Sequence, residues 1–353
     1  MVEASPSNGE MAGLAQSWAG EQILSRYLAA SRSWIFICLH STRLGPGVGG
    51  TRLNVYDSPA AGLRDCMRLA EMMTVKAAIA GVPFGGGKSV LAVPQLPEGP
   101  ERKSLFALYA DIVASLRGTY LSGCDMNTSP TDLEGVADRC SCLFGGDPGP
   151  YTAHGVYHGI KVGLERVFGT DLLTDRTVVV EGVGSVGSVL AELLAGAGAR
   201  VILADSVPER ALRLAHALGA WVVRADEAAQ TECDVYSPCA TGGVISSETV
   251  PGLQCRLVAG SANNQLASPS DWRLLDDRGI LYAPDFVINS GGLLFYVGAR
   301  SLGWDDEQLS GRLRGIGDTL RAVFDRTARS GLSPEEAARQ MAGERLSQGV
   351  RVA

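Results

Sequence analysis

The chain has 353 residues, 46% of them apolar and 20% charged, with a formal net charge of -7. That is the balance of a folded globular protein long enough for two domains, each with its own core. No basic run suits a nucleic acid, no apolar run reaches membrane length, and the N-terminal MVEASPSNGEMAGLAQ lacks the basic region and apolar core of a signal peptide.

The eight cysteines (Cys38, Cys66, Cys124, Cys140, Cys142, Cys233, Cys239 and Cys255) form no CxxC pair and read as free thiols of a cytoplasmic protein. His154 and His158, at i and i+4, lack a HExxH glutamate and a third ligand. They read as helix-surface histidines, and no metal site is expected.

The first α/β block runs to about residue 145. Ser33 to Leu39 reads as a strand, followed by a loop, LGPGVGGTR, from Leu44 to Arg52. Ser58 to Ala80 carries apolar residues at helical spacing. Next comes MTVKAAIAGVPFGGGKSV, in which Lys76 and Lys88 are joined by a glycine-rich loop, with no acidic residue between Glu71 and Glu98. A lysine in such apolar surroundings has its charged form disfavoured, so one of the pair can serve as a base while the other holds an anion. GGGKS ends like a Walker phosphate loop, but that motif needs a glycine where Val82 stands. A strand from Ser89 to Val93, rather than a helix, is expected to follow. Ser104 to Leu116 is a second expected helix, Gly118 to Asp125 a strand running into a loop, and Thr131 opens another helix.

Phe144-Gly-Gly-Asp-Pro-Gly-Pro150 is the strongest breaker cluster and the expected linker. After it, Gly155 to Phe168 reads as a helix. Then an apolar strand, Arg176 to Glu181, turns through Gly182-Val-Gly-Ser-Val-Gly187 into a helix from Ser188 to Ala197, and a second strand ends at Asp205. This is a dinucleotide-binding βαβ unit, whose pyrophosphate is expected on Gly182, Val183, Gly184, Ser185, Val186 and Gly187 at the helix N-terminus. Asp205 is expected to bind the ribose hydroxyls and repel a 2′-phosphate, which favours NAD. Further strands end in the loops PCATGGV, with Cys239 and Ala240, and GSANNQL, with Asn263 and Asn264. Such loops at the carboxyl ends of parallel strands face the ligand in an open α/β sheet. Ile280 to Gly292 reads as a last strand and loop, and the tail from Asp305 as helical.

LGPGVGGTR, MTVKAA, PFGGGKS, SGCDMN, EGVGSVG, SPCATGGV, GSANNQL and YAPDFVINSGG stand in this order. Together they resemble the glutamate/leucine/phenylalanine/valine dehydrogenase family, closest to the phenylalanine dehydrogenase type, from about residue 33 to 345. The resemblance implies an α/β substrate and oligomerisation domain over residues 1–148, followed by a Rossmann (doubly wound) NAD-binding domain over residues 149–330. A C-terminal helix, residues 331–353, would pack back on the first domain, with the active site in the cleft and a homo-oligomer as the assembly. It implies oxidative deamination of an L-amino acid to a 2-oxo acid and ammonia, with phenylalanine or a similar apolar substrate favoured. Alternatives are a leucine/valine dehydrogenase, a specialised biosynthetic amino acid dehydrogenase, or a dinucleotide-binding regulator without turnover.

By family position, Lys88 would be the catalytic lysine, Asp125 its proton-handling partner, and Lys76 the carboxylate anchor. Gly49 and Gly50 would hold substrate through the backbone, and Asn263 and Asn264 would contact substrate and cofactor. Val48, Gly123, Leu293 and Tyr296 would line the side-chain pocket. The sequence departs from the family at His40-Ser-Thr-Arg43 and around Asp125, at Cys124 and Met126.

Overall fold

The computed structural model describes residues 6–139, 142, 143 and 145–349. Two compact units divide the chain: Met1–Gly146 with Ala342–Ala353, and Asp147–Met341. Of the residues read above, Cys140 and Phe144 lie outside the described set, as does the side chain of Cys142.

The first unit comprises α1 (Pro6–Ser17), β1 (Gln22–Leu28), β2 (Ser33–Ser41), β3 (Gly47–Val55), α2 (Pro59–Ala80), β4 (Gly85–Val93), α3 (Gly99–Ser115), β5 (Tyr120–Cys124), α4 (Pro130–Ala137) and β6 (Cys142–Leu143). Its sheet runs β1-β2-β4-β3-β5-β6, antiparallel across β1, β2 and β4 and parallel from β4 onward. Side chains alternate across a strand, so β2 feeds two cores. Ile35, Ile37 and Leu39 pack with Phe106 and Tyr109 of α3 and Leu133 of α4. Phe36 and Cys38 pack with Leu63, Cys66 and Met67 of α2. Helix α2 starts where Ser58 Oγ accepts the Ala61 N–H at 3.1 Å and ends at Gly81, which takes φ +76.

Two expected loops are strands. LGPGVGGTR contributes most of β3, and Gly85, Gly86 and Gly87 open β4. The glycines serve close packing here. A Cβ at Gly85 would lie 1.9 Å from the Ser41 carbonyl oxygen, and one at Gly86 would lie 2.1 Å from the Thr74 nitrogen on α2. Helix α3 begins at Gly99, ahead of the expected Ser104.

A buried hydroxyl cluster ties the central strands together. Thr51 Oγ1 lies 2.7 Å from both the Tyr109 hydroxyl and Ser122 Oγ. Tyr109 donates to Ser89 Oγ at 2.9 Å, Ser89 to the Tyr120 hydroxyl at 3.0 Å, and Tyr120 to the Gly49 carbonyl at 2.8 Å. The paired register of β3 with β4 skips Gly49 and Gly50.

The second unit holds α5 (Gly149–Phe168), β7 (Thr177–Glu181), α6 (Ser185–Gly196), β8 (Arg200–Ala204), α7 (Pro208–Leu218), β9 (Trp221–Val222), β10 (Val235–Pro238), β11 (Leu257–Val258), α8 (Trp272–Asp276), β12 (Leu281–Tyr282), α9 (Asp285–Ile288), α10 (Gly291–Val297), α11 (Asp306–Ser330) and the start of α12 (Pro334–Gln348). All six strands are parallel in the order β12-β11-β10-β7-β8-β9, the doubly wound arrangement that places ligands at the carboxyl ends around β7 and β10.

The breaker cluster carries the division between the two units, after Gly146, and its last residues open a helix. Helix α5 starts at Gly149 rather than Gly155, because Pro150 falls in the first turn, where a missing N–H costs nothing. The expected last strand is only Leu281–Tyr282. Pro284 stops it, and the chain then winds into α9 and α10. No helix among the described residues is long and apolar enough to cross a membrane.

Candidate active site

In the first unit, β3, β4 and β5 bring Gly49, Gly50, Lys88 and Asp125 together at adjacent positions. Lys88 sits within β4 and is 6% exposed. Its Nζ lies 2.7 Å from Asp125 Oδ2, just past the end of β5. The apolar local sequence around Lys88 therefore gives no picture of its charge environment, since the counter-ion arrives from another strand. The two glycines permit the approach. A Cβ at Gly49 would stand 1.8 Å from the Gly87 carbonyl oxygen, and one at Gly50 would stand 2.8 Å from the Asp125 Cβ. Val48 is buried on β3, and Gly123 on β5 pairs with Gly50. Lys76 lies half-buried near the end of α2.

Sequence reasoning missed a second cation here. Arg52 Nε lies 3.0 Å from the same Asp125 oxygen, and Arg52 Nη1 lies 3.0 Å from Asp65 Oδ2 on α2. Spacing carries no sign of this, because Arg52 and Asp125 come from different strands. Burial alone would raise the Asp125 pKa, but Lys88 and Arg52 outweigh it and hold the carboxyl at about 2.

A carboxyl so lowered stabilises the fold above its ordinary value of 3.8, and that stability is lost as pH falls toward 2. The linkage is worth roughly 2 kcal/mol. Urea melts of wild type and Asp125→Asn should therefore differ most near neutrality and converge only as the pH falls through about 2. A gap that stays constant over that range would refute the lowered carboxyl.

In the second unit, the glycine turn fits a dinucleotide. Gly182 takes φ +94, and a Cβ there would lie 2.7 Å from that of Ala240. A Cβ at Gly187 would lie 1.9 Å from the Gly182 carbonyl oxygen, so that position admits only glycine. At Gly184, the N-cap of α6, a Cβ would meet nothing within 4 Å, and no side chain caps the helix. The first-turn N–H groups of Ser185, Val186 and Gly187 are thus placed as an anion site. Val183 donates its N–H to Asp205 Oδ2 at 2.9 Å, and Val207 donates to Oδ1 at 2.8 Å. Asp205 accordingly holds the glycine turn in shape, a task beyond the ribose contact expected of it. Cys239 follows β10, and its N–H donates to the Glu181 carbonyl at 2.7 Å.

Asn263 and Asn264 are exposed in the loop after β11, and each is held by a residue the sequence reading passed over. Asn289 Nδ2 donates to Asn263 Oδ1 at 2.9 Å, and the Asn264 N–H donates to the Asp285 carboxylate. Both partners lie in the YAPDFVINSGG segment, whose helical turn is what aims them back at that loop. Leu293 is buried on α10 and Tyr296 half-buried, beside Phe295, whose ring stacks on Tyr151 at 4.2 Å.

A parallel sheet with an open anion site at its glycine turn, and a lysine–aspartate pair for proton transfer, are the parts of a nicotinamide-dependent oxidoreductase. The profile described as Glu/Leu/Phe/Val dehydrogenase, dimerisation domain, matches residues 31–142, and that of Glutamate/Leucine/Phenylalanine/Valine dehydrogenase matches residues 210–351. Leucine dehydrogenase of Thermoactinomyces intermedius is 37% identical over 318 residues, covering 88% of this chain and 86% of that relative. Valine dehydrogenase of Streptomyces albus is 38% identical over 339 residues, covering 93% and 92%. The crystal structure of L-tryptophan dehydrogenase from Nostoc punctiforme superposes with a TM-score of 0.84 at 33% identity, covering 96% of this chain and 99% of that one.

The chain belongs to the Glu/Leu/Phe/Val dehydrogenase family. It is an amino acid dehydrogenase, an oxidoreductase acting on CH–NH2 donors with NAD as cofactor.

Proposed function

We propose that this enzyme catalyses the reversible oxidative deamination of a large apolar L-amino acid, with phenylalanine or another aromatic residue preferred. The observation that carries the chemistry is the buried pairing of Lys88 Nζ with Asp125 Oδ2 at 2.7 Å. NAD, when bound, accepts the hydride from the substrate Cα. Gly182 to Gly187 would hold its pyrophosphate, Asp205 its ribose, and Cys239, Ala240 and Asn263 would flank it.

Hydride leaves Cα only when the substrate amine is neutral and can donate its lone pair, so the site needs a base. Asp125, kept anionic by two cations, takes the ammonium and relays its proton to water, leaving the amine neutral. Lys88 orients the water that attacks the imine, and its positive charge stabilises the developing carbinolamine oxygen. Lys76 holds the substrate carboxylate as a point charge, and the backbone at Gly49 and Gly50 completes the cradle. Asn263 and Asn264, oriented by Asn289 and Asp285, contact substrate and cofactor.

An aromatic substrate is supported by the relation to an L-tryptophan dehydrogenase and by the absence of a side chain at Gly123, where family position puts the pocket wall. Leucine or valine is the second reading, favoured by the names of the relatives of closely similar identity. The side chains at Val48, Leu293 and Tyr296 decide between them, and one methylene there is worth only about 1–3 kcal/mol. The profile name for residues 31–142 supports a homo-oligomer assembled through the first unit.

Initial-rate NADH formation with Phe, Tyr, Trp, Leu, Val, Ile, Met and Glu at alkaline pH tests this reading. Turnover should concentrate on the aromatic substrates and rise with pH as the amine loses its proton. Leucine or valine as the best substrate would replace the aromatic reading with the second one, and no turnover across the panel would refute both.

A further inference from the structure

The mechanism uses Lys88 and Asp125 but gives no reason for a second cation on the same carboxylate oxygen. Arg52 Nε and Lys88 Nζ both contact Asp125 Oδ2, at 3.0 Å and 2.7 Å. Arg52 is itself anchored. Its Nη1 is 3.0 Å from Asp65 Oδ2, and the Tyr56 hydroxyl donates to that oxygen at 2.8 Å. Arg68 holds the other Asp65 oxygen at 2.8 Å. The side chains of Arg52 and Asp65 are 18% and 17% exposed, so this is a built arrangement rather than a solvated surface pair. The planar guanidinium suits it, because its fork can face two carboxylates at once.

We propose that Arg52, anchored by Asp65, is a positioning residue that fixes the orientation of Asp125 and sets the pH at which the Lys88–Asp125 pair exchanges its proton. This inference rests on the deamination reading. Two cations on one oxygen weaken each other's hold on it. Without Arg52 the full negative charge of Asp125 would fall on Lys88, and the pair would keep its proton to higher pH. Arg52 also pins Oδ2, which presents Oδ1 to the substrate amine.

The other groups facing the pair cannot supply this charge. Cys38 on β2 pairs with Lys88 in the sheet, Cys66 on α2 donates its thiol to the Lys88 carbonyl, and Cys124 precedes Asp125. Burial raises the Cys66 and Cys124 thiols above their ordinary values, so both stay neutral. Asp132 on α4 is neutralised by Arg102, whose Nε lies 2.6 Å away. Besides Lys76 on α2, whose charge is the same in wild type and in every variant tested, Arg52 and Asp65 are the charges that remain.

The test uses Arg52→Gln, Arg52→Lys and Asp65→Asn in the full chain, with thermal melts and NADH binding to establish that each is folded. Two pH dependences are measured: kcat with the best amino acid, and carbamylation of Lys88 by cyanate followed by peptide mass spectrometry, which needs no turnover. For R52Q both should move alkaline by about one pH unit, with kcat near neutrality down roughly tenfold and KM for NAD unchanged. R52K should restore most of the shift, and D65N, which removes a negative charge, should move both profiles the opposite way.

Profiles of folded R52Q that overlay wild type would overturn the proposal. Shifts of R52Q and D65N in the same direction, or no rescue by lysine, would mark a merely structural role and overturn it equally. Should R52Q fail to fold, the R52K and D65N profiles decide alone. A wild type silent on every amino acid, with the labelling shifts as expected, would refute the deamination reading and leave the positioning role standing.

Discussion

Replacement of Lys88 by alanine is expected to lower kcat by roughly 100- to 10,000-fold, the range for loss of a group that moves a proton in the transition state. The protein should remain folded, because Asp125 keeps Arg52 at 3.0 Å and is not left as a bare buried charge. Removing one partner of a buried pair usually costs about 3–5 kcal/mol, and the remaining guanidinium should hold the cost well below that. NADH affinity should be unchanged, since the glycine turn and α6 belong to the second unit. Stopped-flow turnover and NADH fluorescence titration on one preparation check both halves. Retention of wild-type kcat would remove Lys88 from the chemistry, and loss of NADH binding together with kcat would mean that the variant had unfolded.

Some of the fold and site was legible because the physics is local. The strand, glycine turn and helix from Thr177 to Gly196, with Asp205 at the end of the next strand, are written in consecutive residues, and the structure has them in that order. The helix from Ser58 was legible from its apolar spacing. The glycine runs were misread for the opposite reason. A glycine that turns a chain and a glycine that lets two strands and a helix touch look alike in sequence, and only the neighbours of Gly49 and Gly86 tell them apart. Arg52, Asp65, Asn289 and Asp285 escaped notice because each acts on a residue far along the chain, and no spacing rule connects them. Pro284 was visible, but its consequence, a helix in place of a strand, depended on a turn that the sequence did not reveal.

The second large effect is expected at Gly49. A methyl group there would overlap the Gly87 carbonyl oxygen, 1.8 Å from the Cβ position. That atom is backbone within β4, so relief requires β3 and β4 to separate rather than a side chain to swing away. Overpacking a well-filled interior costs about 1–3 kcal/mol, and a backbone collision in a central strand should reach or exceed the top of that range. Because β4 carries Lys88, any separation also draws its ammonium from Asp125. Gly49→Ala should therefore lose stability in a urea melt and, in the fraction that stays folded, lose kcat by at least roughly tenfold. A variant with wild-type stability and rate would show that the two strands can part without moving the pair.

The buried hydroxyls under these strands have a consequence that follows from counting hydrogens. Tyr120 gives its single hydrogen to the Gly49 carbonyl, so it can only receive from Ser89, and Ser89 in turn can only receive from Tyr109. Tyr109 must then receive from Thr51 or Ser122. Every O–H along the row points one way, and aligned dipoles of this kind reinforce one another. No link can reverse unless the whole row reverses, and the last link cannot, because a carbonyl has no hydrogen to return. The Gly49 carbonyl is in this way latched, and the planarity of the peptide bond passes the latch to the Gly50 N–H on the same plane. The direction of the Gly50 N–H is therefore fixed by the same row of hydroxyls that fixes the Gly49 carbonyl.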